Sequence, residues 1–105
     1  MHIHGTADRL IPYNGGRGAG VVNGPSVADV DAFWRNADQC GPPAVTTAGP
    51  VTTSTAGCAD NRAVVGGHQW PGGTTFLERG DPMSQALNAT QTFWQFFVDH
   101  PGYRN

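Results

Sequence analysis

The 105 residues are enough for one small domain, and six arginines against eight acidic residues leave a formal charge of −2. With this weak acidic balance and no basic run, the chain lacks a nucleic-acid-binding footprint. It also lacks an apolar stretch long enough to cross a bilayer, and its first ten residues lack the apolar core of a signal peptide.

The N-terminal third predicts one strand, one loop and one helix. Residues 2–4 are typical of a short strand, and residues 13–25 carry five glycines and a proline, which indicates a long surface loop. Ser26 is a favourable N-cap and predicts the start of a helix that ends near Cys40. The apolar stripe of this helix is Val27, Val30, Phe33, Trp34 and Ala37.

The middle of the chain predicts short strands. Residues 41–57 are mostly Gly, Pro, Ala, Val and Thr, with β-branched residues clustered at 45–47 and 51–53. This pattern predicts one or two strands around a turn at residues 49–50, and a disordered linker is the alternative. Residues 63–65 predict a further, very short strand.

A second helix is predicted over residues 84–99. Pro82 precedes it, Ser84 or Asp81 can cap it, and Pro101 ends it. An aromatic stripe at helical spacing is typical of a core face, so we expect this face to pack against a sheet. The face consists of Leu87, Thr90, Phe93, Trp94, Phe97 and Val98.

The two cysteines, Cys40 and Cys58, have 17 residues between them. Neither has a His or a second Cys nearby at metal-site spacing, so a zinc site is not indicated. A disulfide here would stabilise the fold by roughly 3 kcal/mol and would require an oxidising compartment. Two buried free thiols are the alternative.

Two titratable residues lie in loops directly after predicted strands. Asp8 follows the first strand, and His68 follows the strand at 63–65. In α/β proteins, functional side chains collect at the carboxyl ends of strands. An aspartate that accepts a hydrogen bond from an imidazole fixes its tautomer and leaves the other ring nitrogen to act as a base. Taken singly, each signal is weak, since a loop aspartate is usually an ordinary turn residue and a loop histidine is usually solvated.

Five stretches resemble, in this order, the C-terminal part of secreted α/β-hydrolase esterases of the poly(3-hydroxybutyrate) depolymerase-like and feruloyl-esterase-like family. They are HIHGTADRLIPYNGG, SVADVDAFWRNADQC, GPVTTSTAGC, GGHQWPGG and QALNATQTFWQFF. The resemblance covers nearly the whole chain, and its most specific parts are His-Gly-Thr-x-Asp and Gly-His-x-Trp-Pro-Gly.

This resemblance implies an α/β fold, namely part of a three-layer α/β-hydrolase sheet with its C-terminal strands and helices. It implies that Asp8 is the acid and His68 the base of a catalytic triad. The same resemblance implies a Cys40–Cys58 disulfide, and a substrate site shaped by Trp70 and Tyr13. The order of acid before histidine matches the chain order of α/β-hydrolases.

Two departures from the family pattern affect these expectations. The chain has only three serines, Ser26, Ser54 and Ser84, and none lies in a Gly-x-Ser-x-Gly elbow. Residues 1–105 are therefore expected to be the C-terminal portion of a hydrolase domain, without the half that carries the nucleophile. Only nine residues separate Cys58 from His68, which predicts a shortened strand and weakens the expected contact between the aspartate and the histidine.

The expected function is hydrolysis of a carboxylic ester, either a polyester or a hydroxycinnamate ester, by a secreted or periplasmic Ser-His-Asp enzyme. This chain would contribute only Asp8 and His68, use no cofactor, and have little activity alone. One alternative is a small metal-binding domain using His2 and His4, which share a strand face. Another is a non-catalytic fragment or binding module that associates with itself through exposed sheet edges.

Overall fold

A computed structural model describes residues 1–19, 22–74 and 83–102. This part of the chain combines a mixed sheet with two helices, which confirms the general α/β class. In chain order the elements are β1 (His2–Gly5), β2 (Gly16–Arg17), β3 (Asn23–Gly24), α1 (Val27–Ala37), β4 (Ala44–Ala48), β5 (Val51–Thr55), β6 (Asp60–Val64) and α2 (Ala89–Asp99).

The main sheet has four strands in the order β1-β6-β5-β4. β1 runs parallel to β6, with His2 opposite Asn61 and Gly5 opposite Val64. The other two pairs are antiparallel, and β4 and β5 form a hairpin. Its turn contains Gly49, whose positive φ of 56° suits a residue without a Cβ atom. The prediction of one or two strands around this turn is therefore confirmed, with two strands present, and the linker alternative is wrong.

Two predictions about the loops need correction. The segment 13–25 is not loop throughout, since β2 and β3 pair as a short antiparallel ladder within it. The strand before His68 is longer than predicted, because it begins at Asp60 rather than at residue 63. Pairing with neighbours on both sides extends β6 through Asn61 and Arg62, which are polar and carried no strand signal.

Helix α1 begins where its sequence predicts. Ser26 is the N-cap, and its hydroxyl accepts a hydrogen bond from the backbone N–H of Asp29 at 3.1 Å. Only Val27 of the apolar stripe is fully buried, whereas the aromatic rings of Phe33 and Trp34 are largely exposed. The local signals therefore set the ends of the helix but not the burial of its apolar face.

Helix α2 differs from its prediction in length and in burial. It begins at Ala89 with Asn88 as N-cap, not at Ser84. The alternative cap, Asp81, and the preceding Pro82 lie outside the described residues. The prediction that its aromatic face packs into a core is wrong, since Trp94 is 70% exposed and Phe97 62%. Only its first residue, Ala89, is fully buried, so most of this face is left in contact with solvent.

The core of the described residues is small and lies around β6 and its neighbours. Its buried apolar side chains are Val27, Ala56, Ala63, Val64 and Ala89. A disulfide joins Cys40, just after α1, to Cys58 between β5 and β6, with 5.6 Å between the two Cα atoms. This bond ties α1 to the sheet, and the alternative of two free thiols is wrong. Neither described helix has the length and apolar character needed to cross a membrane.

Candidate functional site

Asp8 and His68 lie together at one edge of the sheet. The strands β1 and β6 are parallel neighbours, so their carboxyl ends open on the same side. Asp8 follows the end of β1 by three residues, and His68 follows the end of β6 by four. The Oδ2 atom of Asp8 accepts a hydrogen bond from Nδ1 of His68 at 2.8 Å. The nine residues between Cys58 and His68 are thus sufficient for the contact.

Gly5 allows the two loops to approach. A Cβ atom at this position would collide with the backbone carbonyls of Gly66 and Gly67. Because Gly5 has none, the loop after β1 can bond to the loop after β6, and the Ala7 N–H donates to the Gly66 carbonyl at 2.8 Å. The His-Gly and Gly-Gly dipeptides of the sequence therefore serve a close backbone contact that brings the acid to the imidazole.

The carboxylate of Asp8 is buried, and each of its two oxygens accepts at least one hydrogen bond. Its Oδ1 atom accepts the backbone N–H groups of Leu10 and Ile11, each at 2.9 Å, while Oδ2 faces His68. Burial raises the pKa of Asp8, but the hydrogen bonds from Ile11, His68 and Leu10, together with the charge of His68, outweigh it and hold the pKa below its usual value. Asp8 is therefore a carboxylate at neutral pH, ready to orient an imidazole.

His68 is accessible to a ligand. Its side chain is 46% exposed, whereas that of Asp8 is only 5% exposed. The ring borders an open groove of about 410 Å³, which Trp70 also lines. A histidine held by a buried carboxylate and open to solvent is the arrangement required of a general base.

The two residues expected to shape the substrate site lie in different places. Trp70 lines the groove, and its indole N–H donates to the Thr90 hydroxyl at 3.0 Å. Its ring also contacts Phe93 of α2, with 5.8 Å between centroids. Tyr13 does not line the groove among the described residues; its ring packs edge-on against His4 at 5.9 Å. Of the two residues, Trp70 therefore lines the groove, whereas Tyr13 contacts the ring of His4.

A second imidazole, that of His4, lies beside Asp8, and the sequence analysis did not include it in this site. Nε2 of His4 lies 3.4 Å from Oδ2 of Asp8 and 2.8 Å from the carbonyl oxygen of Ile11. The available signal was the His-x-His spacing on β1, for which the sequence analysis offered only an alternative metal site.

This geometry does not support a metal site at His2 and His4. Both ring nitrogens of His2 and both of His4 are within hydrogen-bond distance of protein atoms. Across the described residues, no group of three or more His, Cys, Asp or Glu side chains is arranged to hold a metal ion.

The three serines, all within the described ranges, lie away from the groove at His68. Ser26 caps α1, Ser54 lies on β5, and Ser84 accepts the Ala86 N–H at 3.2 Å. No serine of the described residues therefore lines the groove beside the histidine.

Comparison of the chain with protein-family models, curated proteins and solved structures found no match. The chemistry of Asp8 and His68 has to be inferred from their own contacts.

Proposed function

We propose that this chain supplies the acid and the base of a Ser-His-Asp ester hydrolase. The observation that supports the proposal is the 2.8 Å hydrogen bond between Asp8 Oδ2 and His68 Nδ1, at the carboxyl ends of two parallel strands. The nucleophile would come from polypeptide outside this sequence, and the whole would be a three-layer α/β-hydrolase of which residues 1–105 are the C-terminal portion.

The roles of the two residues follow from their contacts. Asp8, held as a carboxylate, keeps the proton of neutral His68 on Nδ1 and stabilises the imidazolium that forms during reaction. Nε2, on the far side of the ring, then takes the proton from an attacking serine hydroxyl and returns it to the leaving alcohol. A water molecule repeats the sequence on the acyl-enzyme.

The proposed substrates are neutral esters with an apolar or aromatic acyl chain, as in a polyester or a hydroxycinnamate ester. Trp70 joins the groove at His68 to a second, apolar cleft of about 440 Å³. The other side chains lining this cleft, all uncharged, are Thr90, Phe93, Trp94 and Phe97. Uncharged aromatic walls favour a substrate of the same character. The disulfide suits a secreted or periplasmic enzyme.

The chain alone is expected to have little activity. Removing the nucleophile of a triad typically costs about 10⁶-fold in rate, and absent oxyanion donors cost about 10²–10³-fold more. Hydrolysis of p-nitrophenyl butyrate by the chain should therefore be near background and only weakly affected by His68→Ala. Fast turnover that His68→Ala abolishes would mean that a serine of this chain acts as nucleophile.

The decisive experiment expresses the chain together with whatever coding sequence precedes it in the same reading frame. We expect that sequence to encode a Gly-x-Ser-x-Gly elbow and the extended protein to hydrolyse p-nitrophenyl butyrate. Within it, Asp8→Asn should lower kcat by about 10⁴-fold and His68→Ala by about 10⁶-fold. His100→Ala is the control, since His100 caps the far end of α2. A frame without an elbow, or activity that survives His68→Ala, would overturn the proposal.

A second candidate is a non-catalytic module that associates with itself. It is favoured by one observation: β1 and β4 are the two edge strands of the main sheet, and all five residues of β4 are exposed. An exposed edge strand offers unpaired backbone groups to another chain.

A further inference from the structure

A line of hydrogen-bonded side chains runs from helix α1 to Asp8. It begins at Asp31 on α1, whose Oδ1 atom lies 3.0 Å from Nδ1 of His2. Nε2 of His2 then lies 3.3 Å from Nδ1 of His4. Nε2 of His4 completes the line at the carbonyl of Ile11 and at Asp8. Asp31, His2 and His4 have no part in the proposed catalytic roles.

The chemistry of the partners fixes the outer protons of the line. A carbonyl oxygen only accepts, so Nε2 of His4 carries a hydrogen and donates it to Ile11. The carboxylate of Asp31 likewise accepts from Nδ1 of His2, and its other oxygen accepts from the Asn61 amide at 2.6 Å. The inner nitrogens, Nε2 of His2 and Nδ1 of His4, lie within hydrogen-bond distance of each other at 3.3 Å.

The contact of His4 with Ile11 acts on Asp8 through a short loop. The N–H of Ile11 is one of the two backbone donors to Oδ1 of Asp8, while its carbonyl is the acceptor of His4. The same Nε2 atom lies 3.4 Å from Oδ2 of Asp8, the oxygen that binds His68. His4 therefore contacts both ends of the loop 8–11, namely the carboxylate of Asp8 and the carbonyl of Ile11.

We propose that His4 is a positioning residue for Asp8: its Nε2–H holds the loop 8–11 so that Oδ2 faces His68, while His2 and Asp31 hold the His4 ring. The proposal rests on the proposed function for its catalytic meaning. His4 itself contacts no reacting atom, and Asp31 makes the position of α1 part of the geometry of the site.

The test uses substitutions that separate the two nitrogens of His4. The Nε2 of glutamine is as many bonds from Cα as Nε2 of histidine, so His4→Gln keeps the donor to Ile11. His4→Asn places its amide at the distance of Nδ1 and keeps only the contact with His2. His4→Phe keeps a ring and removes both contacts, and His100→Gln is the control at a distant histidine.

The readout is nitrogen-15 NMR of the imidazoles in the full chain, with thermal unfolding to establish that each variant is folded. We expect the hydrogen-bonded Nδ1–H signal of His68 in the unchanged chain, in His4→Gln and in His100→Gln. In His4→Asn and His4→Phe its exchange with water should be at least about tenfold faster, as expected when a hydrogen bond to a charged group is disturbed. Equal exchange in His4→Gln and His4→Asn would overturn the proposal.

One measurement needs no variant. In the unchanged chain His4 must carry a hydrogen on Nε2, so a His4 ring protonated on Nδ1 alone would overturn the proposal even if a substituted chain fails to fold. These signals do not depend on ester hydrolysis. An inactive extended protein would therefore refute the proposed function while the role of His4 stands. Conversely, equal exchange in His4→Gln and His4→Asn would refute the role of His4, while an active extended protein would still support the proposed function.

Discussion

Asp8 shows how a single buried charge organises this site. A carboxylate removed from water is costly unless its oxygens are supplied with donors. Here the backbone N–H groups of Leu10 and Ile11 and the ring of His68 meet that need. The donors come from a tight loop and from a strand end 60 positions away in the sequence. The ionised form of Asp8 therefore both folds the loop and orients the imidazole.

This arrangement predicts a specific pH dependence of stability for Asp8→Asn. The pKa of Asp8 is lowered in the folded state, so the carboxylate stabilises the fold above the usual carboxyl pKa of about 4. That stabilisation is lost as the pH falls through the lowered pKa. At pH 7, Asp8→Asn should lower the free energy of unfolding by about 1.5–3 kcal/mol. Urea unfolding at a series of pH values should show this difference shrinking on acidification below pH 4.

Asp99→Asn is the matched control, because Asp99 is exposed on α2, where its Oδ1 atom accepts a hydrogen bond from the Gln95 amide at 2.7 Å. Its effect should be small at every pH. A destabilisation by Asp8→Asn that stays constant between pH 7 and pH 3 would contradict this account of the carboxylate.

The two helices show which element boundaries can be predicted from local sequence. Ser26 lies directly before a helical stripe, and α1 begins there with the Ser26 hydroxyl accepting the Asp29 N–H. Ser84 carries a similar signal but does not start α2. Its carbonyl instead accepts the N–H of Gly72, and the loop backbone at Gly72 lies against Asn88. This contact between distant segments keeps residues 84–88 out of the helix. It cannot be predicted from the local sequence around Ser84.

The late start of α2 predicts unequal effects for two alanine substitutions. The Asn88 side chain accepts the Gln91 N–H at 3.0 Å, which satisfies a donor at the start of the helix. Asn88→Ala should therefore lower the free energy of unfolding by about 1 kcal/mol. Ser84→Ala should change it by less than about 0.5 kcal/mol. Urea unfolding followed by circular dichroism measures both, and a larger loss from Ser84→Ala would mean that the helix begins at Ser84.

At the scale of the molecule, the pairing of acid and base could be anticipated, but the burial could not. Asp8 and His68 each follow a strand signal, and parallel pairing of β1 with β6 brings them together. The aromatic stripes predicted helical periodicity correctly, but periodicity does not say what covers the stripe. In the described part of the chain each helix buries its first residue, Val27 or Ala89, whereas Trp34 and Trp94 stay exposed.

The open edges of the sheet predict that the isolated chain associates with itself. Val45, on the edge strand β4, is 61% exposed, and the unpaired backbone beside it can bind a strand of a second copy. A lysine on an edge strand opposes such pairing. Size-exclusion chromatography at rising concentration should therefore show growing oligomers for the unchanged chain and mainly monomer for Val45→Lys.

Val65→Lys separates the effect of the edge from that of added charge. Val65 is 62% exposed, almost the same as Val45, but it follows the internal strand β6, so this variant should still associate. Equal loss of association in both variants would indicate general charge repulsion. A single monomer peak for the unchanged chain at every concentration would mean that β1 and β4 do not pair between copies. The exposed edges would then carry no evidence for a self-associating module, and the ester-hydrolase proposal would be the remaining candidate function.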